Sequence, residues 1–115
     1  MHEVSIGLRI LLGVVFLVVG MLKFFAKPPA EEFKHFGYPR WFLTVTGIVE
    51  VLGGGAMLVG LKYPVMATLA ALWLAITMVV AVITHIRVKD PIKATMPSIL
   101  FVVLTVVTAA LNWGL

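Results

Sequence analysis

The residue of this chain with the most evident chemistry is an acid inside an apolar segment. Glu50 is the single charged residue of WFLTVTGIVEVLGGGAMLVG, which occupies residues 41–60. Twenty residues at about 1.5 Å each match the hydrocarbon thickness of a bilayer. A carboxylate at that depth is costly unless it is paired, hydrogen-bonded, hydrated or protonated. We therefore expect Glu50 to hold a polar ligand or to exchange protons there.

Two basic residues of the preceding apolar segment are candidate partners for this acid. Arg9 and Lys23 share a helical stripe with Gly13 and Gly20, at the alternating spacings of an interhelical seam. In depth, Glu50 lies between the two bases, and both have long flexible side chains. Both therefore stand as alternative partners of the carboxylate.

Three further residues complete the candidate set of ligand-binding or proton-relay groups. Thr46 precedes Glu50 by one helical turn, Thr105 is nearly level with it on the fourth apolar segment, and His85 ends the third. In a structural interpretation, a base neutralises Glu50 and fixes the register of the helices, with the threonines assisting. In a functional interpretation, the acid and the imidazole form a polar site that binds a quinone headgroup or exchanges protons with it.

Several other chemistries are excluded or disfavoured by the residues present. The chain has no cysteine, so thiolate catalysis, disulfides and thiolate metal sites are absent. His85 is the single histidine within an apolar segment, and His2 and His35 have no metal-ligand spacing, so we expect neither bis-histidine haem nor a metal site. No catalytic residue is identified, and the sequence does not decide whether the protein is an enzyme.

Composition places the chain in the membrane. Of its 115 residues, 62% are apolar and 12% are charged, whereas soluble domains have about half and a quarter. We expect one domain with four spans, at about residues 4–25, 41–60, 64–86 and 97–113, with Pro97 opening the last. Each span has one stripe of polar or small residues, and four such stripes converge only in a bundle.

The segment between the first two spans, AKPPAEEFKHFGYPR, is too short and too polar to cross a bilayer. Its pattern predicts a short amphipathic helix in the membrane interface, opened by Pro29 and ended by Gly37, with a plain connecting loop as the alternative. The expected fold is therefore an all-α, integral membrane four-helix bundle with a short interfacial helix between helices 1 and 2.

Basic residues indicate the orientation of the bundle. The side of the first and third connections has seven of them, and the other side has Arg9 and Lys62. The positive-inside rule then predicts cytoplasmic connections and both termini outside. The net charge of +4 fits anionic lipid headgroups, and we expect no nucleic-acid partner.

Four stretches together resemble the DoxX-like family of small four-helix bacterial membrane proteins: LRILLGVVFLVVGMLKFF at 8–25, FGYPRWF at 36–42, TGIVEVLGGGAMLVG at 46–60 and ITH at 83–85. The resemblance implies a place in the bacterial inner membrane and an association with oxidoreductase complexes, thiosulfate- or quinone-related redox chemistry or oxidative-stress defence. Eukaryotic relatives resemble receptor-assembly chaperones of the endoplasmic reticulum, which is a second implication of the resemblance. The family positions that correspond here are Arg9, Gly13, Gly20, Lys23, Glu50 and His85.

The leading hypothesis is an accessory subunit of a membrane redox system that binds a quinone or lipid-like molecule near Glu50. Its partners would be the lipid bilayer, other oxidoreductase subunits and further copies of the chain. The alternative is a protein for membrane-protein assembly, which grips other helices through glycine-rich surfaces and has no ligand chemistry. A proton-coupled exporter is a third hypothesis, and it requires a dimer because four spans contain no inverted repeat.

Overall fold

The computed structural model of the protein describes residues 2–25 and 27–112. These residues form five helices, α1 (His2–Phe25), α2 (Lys27–Phe36), α3 (Arg40–Val59), α4 (Pro64–Arg87) and α5 (Ile92–Asn112). All except α2 are long and apolar enough to cross a membrane. The predicted all-α membrane bundle with one short helix after the first span is therefore confirmed.

Glycines set the distance between α1 and α3, which pack together along their length in opposite directions. Gly13 faces Gly54, and Gly20 faces Gly47. A Cβ atom added at Gly54 would lie 2.8 Å from the carbonyl oxygen of Gly13 and from the amide nitrogen of Leu17. The two backbones thus touch directly, as small residues permit inside a membrane.

One half of the bundle has a closely packed apolar core, and we call it the packed half. It contains the first half of α1, the second half of α3, the first half of α4 and the end of α5. Its buried core residues are Leu12, Met57, Ala67, Ala70, Ala71, Leu74 and Ala109. Four residues connect α3 to α4 here, and Gly60 lies against the backbone of Ala67, so this end of the molecule is tightly closed.

At the other end of the bundle, α2 lies across the helices. It begins at Lys27, two residues before the predicted start, because a proline in the first helical turn needs no amide partner. Its apolar face is turned inward, and Phe33 and Phe36 pack with Leu43 of α3. The prediction of a short helix is confirmed, and the alternative of a plain loop is wrong.

The end of α2 has the predicted glycine termination. Gly37 has a φ of 80°, its amide donates to the carbonyl of Lys34, and the amide of Tyr38 donates to the carbonyl of Phe33. These two bonds form a Schellman motif, in which glycine takes the left-handed position without strain. The motif turns the chain sharply toward α3.

The prediction that Pro97 opens the last span is wrong, because α5 begins at Ile92 and contains Pro97. The carbonyl of Pro91 starts the helix by accepting bonds from the amides of Ala94 and Thr95 and from the Thr95 hydroxyl. A proline inside the helix then removes one backbone hydrogen bond without ending it. The predicted end at Trp113 lies outside the described residues.

Candidate functional site

A cavity of about 430 Å³ occupies the half of the bundle opposite the packed half. It lies among the second half of α1, the first half of α3, the second half of α4 and the start of α5, with α2 across its end. Its size falls within the range of small-molecule sites, about 300–1,000 Å³. The walls are largely apolar, and their aromatic residues are Phe16, Phe33, Phe36, Tyr38, Phe42 and Phe101.

An ion pair stands in the wall of this cavity. The Nζ atom of Lys23 lies 2.7 Å from Oε1 of Glu50, and the two side chains are 12% and 1% exposed. Among the described residues, this ammonium group is the polar partner of Oε1. The close approach at Gly47 explains the pairing, since it brings the Lys23 Cβ atom against α3 one turn from the acid.

Arg9, the other candidate base, has different partners. It is 1% exposed, and its guanidinium donates to the Ser5 hydroxyl and to the carbonyl of Gly60 at 2.8 Å. Gly60 is about 15 Å further along α3 than Glu50. Arg9 therefore secures the end of α3 in the packed half and is not the partner of the acid.

The two candidate threonines are in different environments. Thr46 lines the cavity and donates its hydroxyl to the carbonyl of Phe42 at 2.8 Å. Thr105 is buried away from the cavity, in the packed half, and donates to the carbonyl of Phe101 at 2.7 Å. Of the candidate residues, the structure thus brings Glu50, Lys23, Thr46 and His85 to one cavity and leaves Arg9 and Thr105 outside it.

His85 lines the cavity near α2 and is held by an acid that the sequence analysis did not identify. Its Nδ1 lies 2.7 Å from Oδ2 of Asp90, while Nε2 of His35 lies 2.8 Å from Oδ1. The turn after α4 explains the first contact. Lys89 takes a left-handed conformation and the amide of Asp90 donates to the carbonyl of His85, which folds the acid back onto the helix end.

The same end of α4 holds α2 in place through further contacts. Arg87 donates to the carbonyl of Phe36 at 2.9 Å, and its guanidinium lies 5.0 Å from the centre of the Tyr38 ring. The Tyr38 hydroxyl lies 2.7 Å from the hydroxyl of Thr84. Together with the His35–Asp90 contact, these interactions fasten the cover of the cavity to α4.

The position of Asp90 outside the spans makes its titration informative. Hydrogen bonds from His35 and then from His85 favour the charged carboxylate and hold the pKa of Asp90 below its ordinary value of 3.8. The folded protein therefore binds fewer protons here than the unfolded chain in the pH range below 3.8. The resulting stabilisation is present above that pH and is lost as the pH falls through the lowered value.

Asp90→Asn should accordingly lower stability at neutral pH and make no difference in strong acid. Unfolding of both proteins in detergent, followed by circular dichroism from pH 7 downward, measures the gap between them. We expect the gap to close only below pH 3.8, because only then does the wild-type carboxylate accept a proton. A gap of constant size throughout this range would contradict the assignment.

The sequence of the chain is similar to those of known proteins. The model of the DoxX-like family matches residues 7–108. The chain is also 42% identical over 59 residues to an uncharacterised Bacillus subtilis (strain 168) protein, YdgD, with 50% of this chain and 52% of the relative covered. The chain thus spans about half the length of that curated relative. No solved structure matches the chain.

Proposed function

We propose, from the premise that this chain belongs to the DoxX-like family of membrane proteins, that its cavity binds a quinone or a lipid-like molecule. In this proposal the protein is an accessory subunit of a membrane redox system. The observation that supports it best is the position of Lys23, Glu50 and His85 around one largely apolar cavity. Apolar walls with a few convergent polar groups are typical of small-molecule sites.

The walls favour a flat, membrane-soluble guest. Aromatic side chains from α1, α2, α3 and α5 surround the space and offer ring faces and edges for stacking. Ile76 and Val80 of α4 line the cavity and are 67% and 47% exposed. In the proposal, a molecule dissolved in the membrane enters the site beside these two residues.

Each polar residue has a distinct role in the proposal. Glu50 accepts a hydrogen bond or a proton from the guest, since its carboxylate lines the cavity and Lys23 is the polar partner of its Oε1 among the described residues. Lys23 sets the charge state of this acid by its contact at 2.7 Å. His85 exchanges protons at the end of the cavity that α2 covers.

The proposal includes an orientation. Seven of the nine basic residues belong to the end of the bundle that holds α2 and the cavity, and the positive-inside rule assigns that end to the cytoplasm. We place the protein in the bacterial cytoplasmic membrane with both termini outside. The cavity then lies in the cytoplasmic half of the bilayer.

The alternative, an assembly protein without ligand chemistry, has less support than the sequence suggested. It required glycine-rich surfaces free to grip other membrane helices. Gly13 and Gly20 of α1 and Gly47 and Gly54 of α3 instead face each other within the chain. These glycines are therefore occupied by the protein's own packing.

A titration with a short-chain ubiquinone or menaquinone analogue tests the proposal. With the analogue kept in its reduced hydroquinone form, Glu50→Gln should weaken binding about tenfold, because it removes a charged acceptor for a hydroxyl proton of the guest. Ala81→Phe should weaken it at least as much, because Ala81 lines the cavity and a ring there occupies the space of the guest. Binding to purified protein in nanodiscs can be measured by isothermal titration calorimetry.

Ala110→Phe is the matched control for the second variant. It makes the same change on the exposed face of α5 near its end, away from the cavity, and should leave the affinity unchanged. Equal affinity in wild type and Ala81→Phe, or no binding to wild type, would refute the cavity as a quinone site.

A further inference from the structure

The threonine hydroxyl groups in the cavity wall already donate their hydrogen bonds to the protein backbone. Thr46, Thr77 and Thr84 each donate to the backbone carbonyl four residues earlier, at 2.8–2.9 Å. Because the Thr84 proton is engaged in that way, the Tyr38 hydroxyl must be the donor of its 2.7 Å contact with Thr84. The lone pairs of these oxygens can still accept a bond, but the wall threonines and Tyr38 have no proton to offer a guest.

The same constraint applies to His85. An ionised carboxylate can only accept hydrogen bonds, so the contact with Asp90 requires the proton of the neutral ring to be on Nδ1. Nε2 is then an acceptor. In the described part of the chain, Asp90 supplies the polar contacts of this ring, and Phe36 packs against it with a centroid distance of 5.2 Å.

The charged groups around the cavity do not change the excess of hydrogen-bond acceptors over donors. Glu50 of α3 and Glu32 of α2 add acceptors, while Lys23 of α1 is in contact with Glu50. Arg87 is directed to α2, where it binds the Phe36 carbonyl and the Tyr38 ring. Besides the remaining protons of Lys23, the wall offers a donor in the hydroxyl of Ser98. Acceptors thus predominate in the lining.

We propose that the cavity selects a guest that donates hydrogen bonds, of the chemical class of hydroquinones and other phenols, over the corresponding quinone or ether. Asp90 is the positioning residue for this selection, because it fixes the His85 tautomer that presents Nε2 as an acceptor. The proposal rests on the proposed function, since it specifies the form of the guest at the same site. Oxygen atoms of a quinone or an ether can only accept, so they leave these acceptors unpaired.

The tautomer can be tested without any ligand. Protein labelled with ¹⁵N-histidine, in nanodiscs at pH 9, gives ring nitrogen signals, and loss of one set in His85→Gln assigns those of His85. We expect a protonated Nδ1 and a bare Nε2 in wild type. In Asp90→Asn the amide can either donate or accept, so the Nε2–H form should appear. Glu31→Gln, which removes an exposed acid of α2 outside the cavity, should leave the spectrum unchanged.

The selectivity is tested with a hydroquinone and its dimethyl ether, which share one ring but differ in donors. We expect wild type to prefer the hydroquinone about tenfold, as one or two hydrogen bonds allow, and Asp90→Asn to lose most of this preference. Glu31→Gln should keep it. A reducing agent in the buffer keeps the hydroquinone from oxidising during the titration.

The outcomes separate the two proposals. A bare Nδ1 in wild-type His85, or equal affinity for the two compounds, overturns the selection by donors and leaves the cavity as a binding site. Absence of binding for both compounds overturns the proposed function and the selection together. The expected tautomer combined with the tenfold preference supports both.

Discussion

Gly54→Ala is expected to destabilise the bundle by about 1–3 kcal/mol, the usual cost of forcing an extra methyl group into a packed core. The added Cβ atom would lie 2.8 Å from the Gly13 carbonyl oxygen and 2.8 Å from the Leu17 amide nitrogen. Both neighbours are backbone atoms of α1, which cannot rotate away as a side chain can. The two helices must therefore move apart along a contact that extends over several turns. Unfolding in detergent by increasing fractions of SDS measures the loss.

The next residue is a matched control for this prediction. A Cβ atom at Gly55 meets nothing within 4 Å, so Gly55→Ala adds a methyl group without a clash. Alanine is the better helix former by up to about 1 kcal/mol, and the variant should be as stable as wild type or slightly more so. Equal stability of the two alanine variants would show that the α1–α3 contact is looser than the structure indicates.

Lys23→Met should destabilise the protein by roughly 3–5 kcal/mol, the typical cost of leaving one member of a buried ion pair alone. Glu50 is 1% exposed and Lys23 is 12% exposed. The acid then faces a largely apolar cavity without a counter-charge, whereas a lysine without its acid can extend toward the interface. Glu50→Gln should therefore cost less than Lys23→Met, and the double variant should recover part of the loss.

A double-mutant cycle, with Arg9 as a second base for comparison, distinguishes a specific ion pair from a loss of stability that any buried substitution would cause. Arg9→Met also removes a buried cation, but the partners of Arg9 are Ser5 and Gly60. Its effect should add to that of Glu50→Gln, as expected for separate sites. Strict additivity between Lys23→Met and Glu50→Gln in the same SDS titration would contradict the pairing.

Local periodicity was sufficient to predict most of the fold. The stripe that includes Arg9, Gly13, Gly20 and Lys23 is directed into the bundle, and it follows from the helical repeat of 3.6 residues alone. The turns at Gly37 and Pro64 also follow from the conformational preferences of single residues. These features depend on neighbours a few positions away, which a sequence displays directly.

Features that depend on the relative height of two helices could not be predicted in that way. Arg9 and Lys23 share a face, and only the contact of Gly20 with Gly47 determines which of them reaches Glu50. The site around Asp90 is a second example, since His35 is 55 residues distant in sequence. Its nearer contact, to His85, depends on a left-handed Lys89, a conformation for which lysine shows no preference.

The placement of α2 has a mechanical consequence for the whole molecule. This helix is covalently continuous with α1 and α3, yet its polar contacts reach the end of α4 and the turn that follows. The α1–α3 and α4–α5 pairs are thus linked twice, by a four-residue peptide connection at one end and by breakable bonds at the other. At the packed end, the covalent connection between α3 and α4 prevents the two helix pairs from moving apart. Thermal breathing should concentrate beside α2, so that the width of the cavity and the attachment of α2 vary together.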